Sequence, residues 1–190
     1  MICVLIVQWA EGPRCHSLGR SPSQDWSHVC GLKARVILAT VPQSLSFVLV
    51  HLVFSTKDRR PFLKDGIRTE VHAYLASVLN GSDSICVRIG GVADHVHIAL
   101  FIARTESISR VVERLKVSSS KWIKAKGPEF GKFSWQRGYA AFSVGLSDRA
   151  ALVRYIDSQA THHQRRDFQA EMRVMFAKYG VEFDEKFVWD

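Results

Sequence analysis

Apolar residues crowd the stretch 45–56, and their density marks a strand central in its sheet rather than one with a wet face. Residues 58–61 turn. The spacing of Ile67, Val71, Tyr74, Leu75 and Val78 then predicts an amphipathic helix over 62–79 with those side chains inward, ended by Asn80-Gly81 in the manner of a C-terminal cap. Residues 85–90 and 95–103 read as two strands around a Gly-Gly turn, and a helix follows from about Ser107 to Lys126, closed by Gly127-Pro128. A strand is predicted over 140–144. The next helix has Leu152, Val153 and Ile156 as its apolar stripe and Asp148 at its N-terminus, and the last spans 168–179 and stops at Gly180. Strand, helix, two strands, helix, strand, helix is a split βαβ order. It predicts an α+β sandwich with helices packed on one face of the sheet.

The first forty residues break this pattern. From about Glu11 to Gly31, Gly, Ser, Pro and Arg are interspersed without period, and Cys3, Cys15 and Cys30, three of the four cysteines, fall in residues 1–40 with Trp9 and Trp26. The apolar start has neither a basic leader nor a small-residue cleavage pattern, so a signal peptide is not expected. Our expectation is that 1–40 is a translated upstream extension. The native start would be Val41, read from a non-AUG codon, and one domain would cover 41–190. No apolar run reaches the length of a bilayer span.

Composition narrows the partners. The chain carries a net charge of +8 with pI near 9.6, which suits an anionic partner. Residues 1–40 hold four of the Lys and Arg and two of the Asp and Glu, so the remainder keeps +6. Its single cysteine, Cys86, suits a reducing cytoplasm.

The candidate chemistry begins at His95 and His97. Residues two apart on a strand share a face, so the imidazoles project side by side as two of the ligands of a metal site. The spacing alone is a weak signal, since with 8 histidines in 190 residues chance supplies such a pair about 0.3 times per chain. Tyr155 and Gln159, four apart, share one face of the later helix. Gln159 offers a carbonyl oxygen as third ligand, with His163 one turn further as the alternative. Such a mixed nitrogen and oxygen set suits Mg²⁺ or Mn²⁺. Asp94 is placed either to orient a ligand imidazole or to cap a turn. Lys57, Arg59 and Arg60 on a loop, and Lys116, Lys121 and Lys124 on a helix, are candidate phosphate contacts, and Ser118, Ser119 and Ser120 candidate donors to phosphate. Trp122 is either a base-stacking platform or a core anchor. Trp135, Gln136 and Tyr139 read as a packing unit.

Several ordered motifs carry a family resemblance. They are Gly-Gly-Val-Ala-Asp-His-Val-His ending at His97, Ser118-Ser119-Ser120-Lys121-Trp122, the run from Trp135 to Val144, and the run from Tyr155 to His163. Together with the opening from His51 to Pro61, the chain over roughly 42–190 resembles the single-tyrosine HUH transposases of bacterial single-strand insertion sequences and their repeat-associated relatives. The resemblance implies a ferredoxin-like sheet in a homodimer and a cytoplasmic, bacterial enzyme. It also implies metal-assisted cleavage and rejoining of single-stranded DNA with hairpin ends, Tyr155 forming a 5′-phosphotyrosine link, with no nucleotide cofactor. It further allows Tyr155 of one protomer to serve the histidines of its partner. Two other readings differ in class. A replication-initiator type of HUH nickase would carry extra domains and paired tyrosines, and a domesticated hairpin-binding protein would bind DNA without forming an adduct.

Overall fold

The computed structural model describes residues 45–159, 168–186 and 188–189. Its strands are β1 (Val48–Ser55), β2 (Ile85–Gly91), β3 (His95–Ile102) and β4 (Ala140–Val144), and its α-helices are α1 (Ile67–Asn80), α2 (Ile108–Lys124), α3 (Arg149–Asp157) and α4 (Phe168–Tyr179). The strands form one antiparallel sheet in the order β2-β3-β1-β4. Both βαβ halves contribute a central strand, which is the ferredoxin-like arrangement expected from the order of elements. The proposed extension over 1–40, the start at Val41 and the alternative ligand His163 lie outside the described residues.

Register decides which residues share a face. Val53 pairs with His97 and Ser55 with His95 across β1 and β3, while His51 pairs with Phe142 across β1 and β4. One face therefore presents Val50, Leu52 and Phe54 beside Val96, Ile98 and Leu100. It packs against Val71, Leu75 and Leu79 of α1 and Val111, Val112, Leu115 and Ile123 of α2. The opposite face presents Val53 and Phe142, covered by Phe168, Met172, Met175 and Phe176 of α4, and Ala99, covered by Leu152 and Ile156 of α3.

Helices thus cover both faces, and the expectation of a single covered face is corrected. The reason lies in β1 and β3, which are buried nearly end to end. A strand with apolar side chains on both sides needs a cover on both, and α1 and α2 supply only one. The remaining differences are local. Gly90 and Gly91 belong to β2, and the turn is formed by Val92–Asp94 with the amide of Val92 donating to His95 at 3.2 Å. The first helix begins at Ile67, after Gly66 at φ 93°. Before it, Leu63 is buried and its amide donates to Ala93 at 2.8 Å, so this segment serves as a plug rather than a helical turn. No helix among the described residues is long and apolar enough to cross a membrane.

Candidate metal and tyrosine site

The ligand face of β3 is buried. His95 and His97 are both 0% exposed, and α4 brings Glu171, 3% exposed, against them. The Oε2 atom of Glu171 stands 3.8 Å from Nε2 of His95 and 3.7 Å from Nε2 of His97. On its other side the same carboxylate accepts hydrogen bonds through Oε1, from the hydroxyl of Tyr155 and from Nε2 of Gln159 at 3.0 Å. Tyr155 also lays its ring edge-on to His97, centroids 5.7 Å apart. His95, His97, Tyr155 and Gln159 therefore lie around one carboxylate of the same chain.

Glu171 was not foreseen from the sequence. The signal for it is there in retrospect. Phe168, Met172, Met175 and Phe176 form the inward stripe of α4, and position 171, one turn after Phe168, falls on that stripe. A carboxylate on an apolar helix face costs several kcal/mol unless it is paired, so its presence there already asks for a partner. His51 is the second omission. It is a buried histidine in an apolar strand, and the sequence marks it only as part of a motif.

Local structure fixes the two histidines from behind. Oδ1 of Asp94 lies 2.7 Å from Nδ1 of His95, the orienting role rather than the capping one. His51 places Nε2 3.0 Å from Nδ1 of His97. Burial, with the His97 ring beside it, lowers the pKa of His51 to about 3, so this imidazole is neutral. The tyrosine is positioned by Gly90. A Cβ added there would meet Cγ2 and the backbone oxygen of Ile156 at 2.6 Å. Only a glycine lets α3 lie this close to β2 and carry the neighbouring Tyr155 to the histidines.

The donor set fits a divalent cation. Two imidazole nitrogens and a carboxylate oxygen lie mutually within 4.8 Å. Ligand atoms held about 2.1 Å from one ion stand roughly 3–4 Å apart, close to the separations found. In addition, Oε1 of Gln159 is buried and has no hydrogen-bond partner among the described residues, a cost that a cation would remove.

The sequence-predicted DNA contacts separate into two groups. Lys57, Arg59 and Arg60 form an exposed turn after β1, in which Asp58 and Arg59 take positive φ of 55° and 51°. Thr56 ties this turn to the ligand strand, its amide donating to the carbonyl of Asp94 at 2.8 Å. The basic turn is thus at the same end of the sheet as His95. Lys121, Trp122 and Lys124 lie on α2, which covers the other face. Trp122 stacks on Tyr74 at 4.8 Å and carries the ammonium of Lys126 at 4.2 Å. Ser118 and Ser119 donate back to the carbonyls of Arg114 and Leu115 of their own helix, and Ser119 accepts from the indole of Trp135 at 2.9 Å. Of the packing unit read from Trp135, Gln136 and Tyr139, the first two are buried and hold this bond and the pairing of Gln136 with Ser55, whereas Tyr139 is exposed.

Lys116 has a structural use. Its Nζ donates to the carbonyls of Gln136, Arg137 and Gly138 at 2.8, 3.2 and 2.6 Å, over the ring of Phe54. Burial lowers its pKa to about 8, which leaves it cationic at neutral pH. Lys116→Met should cost about 1–3 kcal/mol in chemical denaturation, because three carbonyls lose their donor. An unchanged midpoint with weakened DNA binding would instead make it a phosphate contact.

Among curated proteins no sequence matches. A structure of a protein from Deinococcus radiodurans described as a transposase is similar at 23% identity and a TM-score of 0.50, over 64% of this chain and 98% of that one. Another, of a REP-associated tyrosine transposase bound to a REP hairpin, is similar at 12% identity and a TM-score of 0.49, over 66% of this chain and 74% of that one. The family described as "Transposase IS200 like" matches residues 44–159, which take in β1 through α3 with both histidines, Tyr155 and Gln159. With more than half its length in that match, the chain belongs to the IS200-like transposases.

Proposed function

We propose that the chain cuts and rejoins single-stranded DNA through a 5′-phosphotyrosine link on Tyr155. The observation that carries this reading is one carboxylate, Glu171, reaching the Tyr155 hydroxyl with one oxygen and facing both histidines with the other. His95, His97 and Glu171 would hold a divalent ion, Mg²⁺ or Mn²⁺, with the Gln159 carbonyl as a further donor. When bound, such an ion polarises a phosphate and offsets charge that grows on it.

The chain's own residues do the rest. Glu171 holds the phenol of Tyr155 in place, and Asp94 fixes the ring of His95. Attack by the phenolic oxygen forms an O–P bond, breaks the P–O3′ bond and releases a 3′-hydroxyl. The phosphodiester energy is kept in the tyrosine ester, so rejoining to a 3′-hydroxyl needs no ATP or other nucleotide cofactor. Lys57, Arg59 and Arg60 would receive the strand nearest the site. Lys121, Trp122 and Lys124 would contact only DNA that reaches the opposite layer. Hairpin ends, a homodimer and a bacterial cytoplasmic setting remain parts of the reading that rest on the family. The phenol lies beside the histidines of its own chain, and its use by a partner's histidines is likewise a part of the reading that rests on the family.

The test is direct. Protein, Mn²⁺ and a labelled single strand from the gene's own flank should give a covalent protein–DNA adduct stable to denaturant. Tight binding of the strand without any adduct would favour the domesticated, non-cleaving reading.

A further inference from the structure

His51 is a buried polar side chain of the ligand face to which the reaction above gives no part. It lies on β1 two residues from Val53, the cross-strand partner of His97, and so is a diagonal neighbour of His97 on the same face. The two rings stack with centroids 5.2 Å apart and planes 26° off parallel. Nε2 of His51 and Nδ1 of His97 are 3.0 Å apart, so a single hydrogen lies between them.

Which ring owns that hydrogen follows from ligation. A histidine that gives Nε2 to a metal carries its hydrogen on Nδ1. His97 is then the donor. The acceptor is a bare Nε2 on His51, whose own hydrogen sits on Nδ1. We propose that His51 is a positioning residue: it accepts the Nδ1 hydrogen of His97 and so holds that ring in the tautomer and orientation that present Nε2 to the cation. Asp94 does the corresponding work for His95, at 2.7 Å. The two ligands are supported unequally, one by a carboxylate and one by an imidazole.

A packing role would look different. The ring of His51 also fills space between Phe142, at 6.2 Å, and the edge of Tyr155, at 5.9 Å. Phe would fill that space well but cannot accept a hydrogen bond, whereas Gln can accept one but packs less well. The two substitutions therefore rank in opposite order under the two roles.

The inference rests on the metal reading above, and calorimetric titration with Mn²⁺ separates their failures. Relative to wild type, His51→Phe should bind Mn²⁺ about 10- to 100-fold more weakly, and His51→Gln should recover most of that loss. Equal Mn²⁺ affinity in wild type and His51→Phe, or Phe binding better than Gln, overturns the role of His51 while leaving the metal site standing. A wild type that binds no Mn²⁺ overturns both. A second measurement needs no variant. Nitrogen-labelled histidine NMR of the Mg²⁺-saturated protein should show His51 with hydrogen on Nδ1 and a bare Nε2, and a hydrogen on Nε2 of His51 would end the proposal.

Discussion

Tyr155→Phe should abolish the covalent DNA adduct and lower strand cleavage by about 10⁴-fold or more, the scale on which loss of a nucleophile is felt. The substitution removes one oxygen. Its ring would keep the edge contacts to His97 and His51, at 5.7 and 5.9 Å, so the position of α3 is retained. Stability should fall by only about 1–2 kcal/mol, for the hydrogen bond that Glu171 loses. Glu171 keeps the bond from Gln159 at 3.0 Å. Mn²⁺ affinity and binding of the single strand should stay within about threefold of wild type, because Tyr155 is not among the proposed ligands. This separation of binding from bond-making is the useful feature. Adduct formation that persists in the Phe variant would move the nucleophile elsewhere and undo the assignment of Tyr155. Loss of strand binding together with cleavage would mean that the phenol holds DNA rather than attacks it.

Much of this site was legible in the chain because its parts sit on elements with clear periods. The strand alternation around His95 and His97 places both on one face, and the helical spacing of Tyr155 and Gln159 places them together. Two local preferences therefore suffice to bring four groups near one another once α3 lies on the sheet. That docking depends on Gly90, whose role is set by a contact with Ile156 far along the chain. No local pattern states such a contact, and by sequence alone the pair of glycines reads as a turn. Glu171 was missed for a related reason. Its meaning comes from what α4 covers, and the reading of helices on one face left α4 without a site to cover. Lys116 shows the limit from the other side. On charge alone it belongs with Lys121 and Lys124, yet three carbonyls of the segment 136–138 claim its ammonium. Charge patterns show where a cation is, not which neutral acceptors compete for it.

The identity of the third ligand gives the second large expected effect. The sequence points to Gln159 and the packing adds Glu171, and the two make opposite predictions under one pair of substitutions. Glu171→Gln keeps shape and volume and leaves an amide oxygen able to accept from Tyr155, but it removes a formal negative charge that faces both imidazoles. Affinity of oxygen-rich sites for divalent ions follows ligand charge, so Mn²⁺ binding should weaken on the order of 100-fold, and adduct formation should fall with it. Gln159→Ala removes a neutral donor and a hydrogen bond to Glu171, and we expect a loss of about tenfold at most. Titration of both variants with Mn²⁺ decides the order. If Gln159→Ala loses the ion while Glu171→Gln binds it as wild type does, the amide is the ligand. Glu171 then serves only to hold Tyr155 and Gln159 in place. The carboxylate is favoured for a physical reason. A buried carboxylate is costly without charge compensation, and its second oxygen faces both imidazoles across the position such a cation would fill.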